Sequence, residues 1–197
     1  MISRPMTLFP VVQPVVEASQ GLSGEERVSR LSAIAREALR LSAEKSGVVL
    51  GELSKDEDDV PLPFDDNHWS VSHKPRCVAA VVSKGKIGID VEEIRPRTED
   101  IFRLVASDEE WRLHTDRSWD TFFRYWTAKE AVLKAVGIGI GGLKKCRVVS
   151  IPDESHVLLD YKDAMFLVEQ LRYENHVVSV LKGDNDVRWT VAGDSSH

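Results

Sequence analysis

Apolar positions recur at helical spacing after Ser23, through Val28, Leu31, Ala35, Ala38 and Leu39, and Ser42 carries the same face on toward Gly47. Ser23 and Glu26 form a capping box at the head of this run, so a helix is predicted from there to Gly47. Before it, valines flank Pro10 and Pro14 over residues 8–17, which predicts an extended segment, because proline is tolerated only at strand edges or ends. Runs 77–82 and 86–92 have the composition of strands, and Ser83, Lys84 and Gly85 between them supply a turn; together they predict an antiparallel hairpin. Ile94 to Arg97 then leads to a second half with helical segments over about 99–114 and 118–136, the latter running into the glycine-rich stretch Gly137 to Gly142. Strands are predicted over 147–151, 157–160, 166–171 and 176–181, with Asn175 in the last turn. Helix and strand content in both halves, with no tandem repeat, gives an α+β class.

The composition narrows the chemistry. With 42% hydrophobic residues, 197 residues suffice for one compact domain or two small lobes. A net charge of −6 argues against duplex nucleic acid or an anionic membrane as partner, so an anionic ligand needs a local basic patch or a metal. Cys77 and Cys146 have neither a second cysteine nor a close histidine at ligand spacing, which favours reduced, buried thiols over a zinc site or a disulfide framework. Pro5, Pro10 and Pro14 break the apolar run of the first residues, and no window reaches the ~18 apolar residues of a membrane span, so a cytoplasmic protein is expected. The carboxylates of residues 54–67, from Asp56 to Asp59 and at Asp65 and Asp66, have the pattern of a solvated loop.

Three places break the expected patterning. In Ile87-Gly88-Ile89-Asp90-Val91-Glu92, alternation puts the aliphatic side chains on one face and Asp90 and Glu92 on the other, about 6–7 Å apart. Two carboxylates so placed suit a hard divalent cation, although the hexapeptide alone favours an amphipathic strand with its polar face in solvent. In the helix from Trp119 the apolar stripe Trp119, Phe122, Phe123, Trp126, Leu133 is interrupted by Glu130, with Lys134 one turn later; an exposed ion pair and a functional pair are equally open. Ser72, His73 and Lys74 end the run Trp69-Ser70-Val71-Ser72-His73-Lys74 with a hydroxyl, an imidazole and an ammonium, groups that suit a phosphate. Ser72 and His73 are adjacent on a strand and face opposite ways, so they form no nucleophile–base pair.

Taken in order, Ser70-Val71-Ser72-His73, the segment from Ile87 to Glu92, and Trp126-Thr127-Ala128-Lys129-Glu130-Ala131-Val132-Leu133-Lys134 resemble the three-motif signature of the Sfp-type 4'-phosphopantetheinyl transferases. The resemblance covers residues 66–145 well, and Asp108-Glu109-Glu110-Trp111 resembles a further family segment with Glu110 at its glutamate. Many family members carry a basic residue between glycine and proline ahead of the serine–histidine pair; here that place is Asp59-Val60-Pro61.

The resemblance implies two pseudo-symmetric lobes, residues 1–95 and 96–197, each a small antiparallel sheet packed on a long helix, with one active site in the cleft between them. It implies Mg²⁺ held by Asp90, Glu92 and Glu130, coenzyme A as substrate with its 3'-phosphate on Ser72 and His73, and Lys134 on the phosphoryl oxygens. It further implies Glu130 and Lys134 as the catalytic residues, Glu130 as general base, ligand or both. The role of Lys129 is open between phosphate contact and packing. The partner implied is an apo acyl or peptidyl carrier protein, docked through apolar contacts and some of Arg112, Arg117 and Arg124, and the enzyme is expected to be a monomer. The rival is a catalytically silent carrier-protein-binding module, suggested by Val60; a generic magnesium phosphodiesterase lacks its expected histidine–aspartate motifs.

Overall fold

The computed structural model describes residues 5–15, 23–114 and 116–193. Strands β1 (Thr7–Leu8) and β2 (Val11–Pro14) precede helix α1 (Gly24–Lys45), and β3 (His68–Lys74), β4 (Cys77–Ser83) and β5 (Ile89–Glu93) follow it. Short helical turns over Glu99–Ile101, α2 (Phe102–Val105) and α3 (Asp108–Trp111) lead into the long helix α4 (Trp119–Val136). A 3-10 turn, Ile140–Lys145, then enters β6 (Cys146–Asp153), β7 (His156–Tyr161), β8 (Ala164–Tyr173), β9 (His176–Leu181), β10 (Asp186–Val187) and β11 (Thr190–Val191). Residues 16 and 17 of the predicted extended segment lie outside the described residues.

Each larger sheet carries one long helix. The four-stranded sheet, in order β11-β2-β4-β3, is covered by α1, whose Ala35, Ala38, Leu39 and Ala43 are buried against Val11, Val78, Ala80 and Val82. The capping box predicted at Ser23 and Glu26 is present in both directions. Ser42, fully buried on the same face, donates to Phe9 O and accepts from Val82 N, so a polar residue on this face becomes a bridge between the β1–β2 link and β4. The five-stranded sheet, in order β5-β9-β8-β7-β6, is covered by α4. Ser118 caps that helix at its start, and Gly137, at a φ of 71°, ends it in the left-handed conformation that glycine adopts freely. The α+β expectation, small sheets packed on helices, holds. Both thiols are buried, and burial pushes each up to about 12, the behaviour of inert structural cysteines.

Two expectations are corrected. The chain does not fold residues 77–92 into a hairpin: β4 pairs with β3 on one side and β2 on the other, whereas β5 crosses to the edge of the second sheet and pairs with β9. Hydrogen bonding therefore cuts across the expected boundary at residue 95, since β5 belongs to the later sheet and β11 to the earlier one. The helix expected over 99–114 is broken into short turns, because Ala106 is extended and Ser107 begins a new capped turn at Glu110.

Gly88 explains how close α4 lies to β5. A Cβ there would come within 1.9 Å of Ala131 O and 2.8 Å of Ala135 N, so only glycine lets the helix backbone rest on this strand. Gly88→Ala is expected to destabilise by about 1–3 kcal/mol or more, the range of an overpacked core, because rigid backbone has to move. Thermal unfolding measures it; an unchanged midpoint would contradict this packing.

Candidate active site

The closeness of α4 brings its polar interruption onto β5. Lys134 Nζ donates to Asp90 Oδ1 at 2.8 Å and to Ile89 O at 3.0 Å, and Ser72 Oγ, from β3 of the other sheet, donates to the same Asp90 oxygen at 2.8 Å. Asp90 is 5% exposed and Glu92 6%, so the strand is buried on both faces and not amphipathic with a wet side. Glu92 is held by Lys74 Nζ at 2.8 Å and by Arg97 Nη2 at 3.4 Å. Its pKa is raised, by burial first and against the pull of Lys74.

Glu130 is raised to about 7, by burial first and then by the negative charge of Asp90, with Lys134 acting the other way. A carboxyl titrating near neutrality in such a place is suited to proton transfer. Burial has a linked cost. With a folded value near 7 and an ordinary value of 4.5, the native state holds the extra proton between the two, so this group's contribution to stability falls as the pH rises across that window. Melting curves in chelator at pH 5 and pH 8 should therefore show Glu130→Gln gaining on the wild type at the higher pH; parallel curves would contradict it.

Two buried oxygens, Asp90 Oδ2 and Glu130 Oε1, have no hydrogen-bond partner. An orphaned acceptor on each of two neighbouring carboxylates fits a hard cation that takes few protein ligands and completes its shell with water and substrate oxygens. Among the described residues no three His, Cys, Asp or Glu side chains are gathered at metal-ligand spacing, so the expected set Asp90, Glu92 and Glu130 is not assembled as three ligands, and both Glu92 oxygens are engaged by Lys74 and Arg97.

Beside Glu130 and Lys134 opens a cleft of about 690 Å³. The loop residues Asp58 to Pro61, Trp69 and Val71 of β3, and Ile138 beyond α4 form its walls, with Lys55, His68 and Lys86 at its edge. His73 lies on the exposed side of β3, and its pKa is lowered, by desolvation first and then by Lys74, Lys134 and Lys55. Local positive charge thus gathers on an acidic protein. Sequence reasoning missed His68 and Lys86, which lie at the edges of the motifs that drew attention.

Lys129 points away from this cleft. It is 1% exposed and donates to Val105 O and Glu110 Oε1, both at 2.6 Å, while Glu110 also accepts from Ser107 N and Val148 N. The open question of its role is settled toward packing: it ties α4 to α2 and α3 and, through Glu110, to β6. Arg124, offered for docking, is 6% exposed and turned inward.

Helix α4 thus crosses the edge strand β5 and brings two of the sequence motifs onto one buried carboxylate, with the third reaching in from the other sheet. The sequence model of the 4'-phosphopantetheinyl transferase superfamily matches residues 86–190, and the chain belongs to that superfamily. It is 30% identical over 122 residues to a 4'-phosphopantetheinyl transferase of Bacillus subtilis, covering 60% of this chain and 54% of the relative. It is 33% identical over 119 residues to the 4'-phosphopantetheinyl transferase HetI of Nostoc, covering 57% and 50%. The match to the transferase Sfp of Bacillus subtilis is 27% over 108 residues, covering 53% and 44%. The chain spans about half the length of the curated relatives it matches. No helix among the described residues is long and apolar enough to cross a membrane.

Proposed function

We propose that this protein transfers the 4'-phosphopantetheine group of coenzyme A to a serine of an apo carrier protein, acyl or peptidyl, with Mg²⁺. The observation that carries the proposal is the pair of orphaned oxygens on Asp90 and Glu130 beside the Lys134 ammonium, inside a chain of the transferase superfamily. Asp90 and Glu130 would hold the metal, and Glu92 would join them if Lys74 or Arg97 releases it. When bound, Mg²⁺ offsets the charge of the pyrophosphate and polarises its oxygens.

The carrier serine oxygen forms a bond to the β-phosphorus, the bond from that phosphorus to the bridging oxygen breaks, and 3',5'-adenosine bisphosphate leaves. Glu130 accepts the serine proton, directly or through water, and Lys134 faces the phosphoryl oxygens. Ser72 and His73 serve the 3'-phosphate, with Ser72 also fixing Asp90. Incubation with coenzyme A, Mg²⁺ and an apo carrier protein should add a phosphopantetheine mass to the carrier. No mass increase across several carriers would overturn the proposal and return the silent binding module suggested by Val60.

Because a phosphate remote from the reacting centre contributes mainly binding energy, His73→Ala is expected to raise KM for coenzyme A about tenfold and to leave KM for 3'-dephospho-coenzyme A nearly unchanged. Equal damage with both substrates would remove His73 from the phosphate site.

A further inference from the structure

A polar seam crosses the buried face between α4 and the five-stranded sheet. Asp90 of β5 is in register with Ser179 of β9, which is in register with Gln170 of β8, so the three form one row across neighbouring strands on the face that meets the helix. Along α4, Arg124, Thr127 and Glu130 follow at intervals of three, with Lys134 one turn on, which places them on one side of the helix. The two rows meet end to end. At one end Lys134 reaches Asp90. In the middle Ser179 Oγ donates to Thr127 Oγ1 at 2.7 Å, and Gln170 Nε2 donates to Ser179 Oγ at 2.8 Å and to Arg124 O at 3.0 Å. At the far end Arg124 Nε donates to Gln170 Oε1 at 2.7 Å, and its Nη2 donates to Asp153 O at 2.9 Å.

Every member away from the catalytic end is buried: Thr127 and Ser179 are 0% exposed, Arg124 6% and Gln170 7%. None of the four lines the cleft. Around the seam the contact is aliphatic and aromatic, with Phe123, Ala128 and Val132 of α4 against Val157, Leu159, Val168 and Val177. Apolar packing tolerates small slides and rolls of a helix, whereas hydrogen bonds in a buried site are directional and costly to leave unmade. A helix held at Thr127 and at the Arg124 carbonyl is therefore fixed in both rise and roll one turn before Glu130.

We propose that Gln170 and Ser179 are positioning residues: through Thr127 and Arg124 they set the register of α4 so that Glu130 and Lys134 face Asp90. This assignment rests on the transferase reading and adds to it two residues outside all three motifs. Their effect falls on turnover more than on nucleotide affinity, because they touch neither the cleft nor the anion-facing cations directly.

The test compares Ser179→Ala, Gln170→Leu, Thr127→Val and Thr127→Ser with wild type, by transfer kinetics, melting midpoint and crystal structure. Expected are a kcat about tenfold lower for the first three at assay temperatures well below their melting midpoints, a KM for coenzyme A within about twofold, and near-wild-type kcat for Thr127→Ser, which keeps the hydroxyl. The double variant Ser179→Ala/Thr127→Val should lose little more than the worse single variant, since both break one unit. A folded Ser179→Ala or Thr127→Val with kcat within twofold of wild type, a rise in KM alone, or a Thr127→Ser as impaired as Thr127→Val would each overturn the assignment. If Thr127→Val fails to fold, Ser179→Ala and Gln170→Leu decide. Absence of transfer by the wild type would sink the transferase reading instead, and the crystal structures would still decide this one: the Lys134–Asp90 contact, 2.8 Å here, should open in Ser179→Ala, and an unchanged contact would overturn it.

Discussion

Glu130→Gln is expected to lower the transfer rate by a factor of about 10²–10⁴, the range for loss of a positioned general base, while leaving coenzyme A binding measurable. The amide keeps the shape of the side chain but neither takes up a proton at neutral pH nor offers the negative charge a hard cation prefers. Asp90→Asn should divide its losses differently. Asp90 accepts from Ser72 and Lys134 through one oxygen and leaves the other without a partner, so its chief role is to hold charge in place. Its replacement should weaken Mg²⁺-dependent coenzyme A binding by about tenfold or more, and should leave Lys134, still held by Ile89 O, without its counter-charge. Calorimetry with and without Mg²⁺, paired with the carrier mass assay, separates the two effects. Near-normal turnover by either variant over a range of Mg²⁺ concentrations would show that these carboxylates do not form one site.

The second large effect is on stability. Lys129→Met should cost about 3–5 kcal/mol, because it leaves the Glu110 carboxylate, 7% exposed, with two backbone donors and no counter-charge, and deprives Val105 O of its ammonium. Against a typical stability of about 5–15 kcal/mol, that is about a third or more of the total at mid-range and most or all of it at the low end. Urea unfolding reads the cost directly. KM for coenzyme A in the folded protein should hardly change, since the side chain points away from the cleft. A loss under 1 kcal/mol, or a rise in KM with stability intact, would contradict the packing role.

Local chemistry was legible in the sequence, and long-range pairing was not. The capping box at Ser23, the end of α4 at Gly137 and the strand over residues 176–181 all follow from signals within a few residues, whereas β10 and β11 beyond it carried no such signal. The motif residues Asp90, Glu130 and Lys134 announced themselves by breaking apolar patterns, and the structure brings them together. The hairpin expected over residues 77–92 failed because a good turn at Ser83-Lys84-Gly85 says nothing about a better partner nearly ninety residues on: Asp90 is opposite Ser179. Arg124 looked like a surface charge because arginine is rarely buried without partners, and its partners are a distant Gln170 and backbone carbonyls, which no local pattern reveals. Lys129 was ambiguous for the same reason, since its counter-charge Glu110 belongs to a separate short helix.

The parallel pairing of the final strands with the first ones has a consequence for synthesis on the ribosome. Thr7 is opposite Asp186 and Val11 opposite Thr190, so one edge of β2 lacks its neighbour until β11, nearly 180 residues on, has emerged. β5, emerging early, likewise waits for β9. Closing loops of such length is slow and gains nothing until the distant partner arrives. The nascent chain thus presents bare strand edges until β9, β10 and β11 have emerged, and earlier collapse should be limited to α1 with β2, β3 and β4, the remainder folding in one late step.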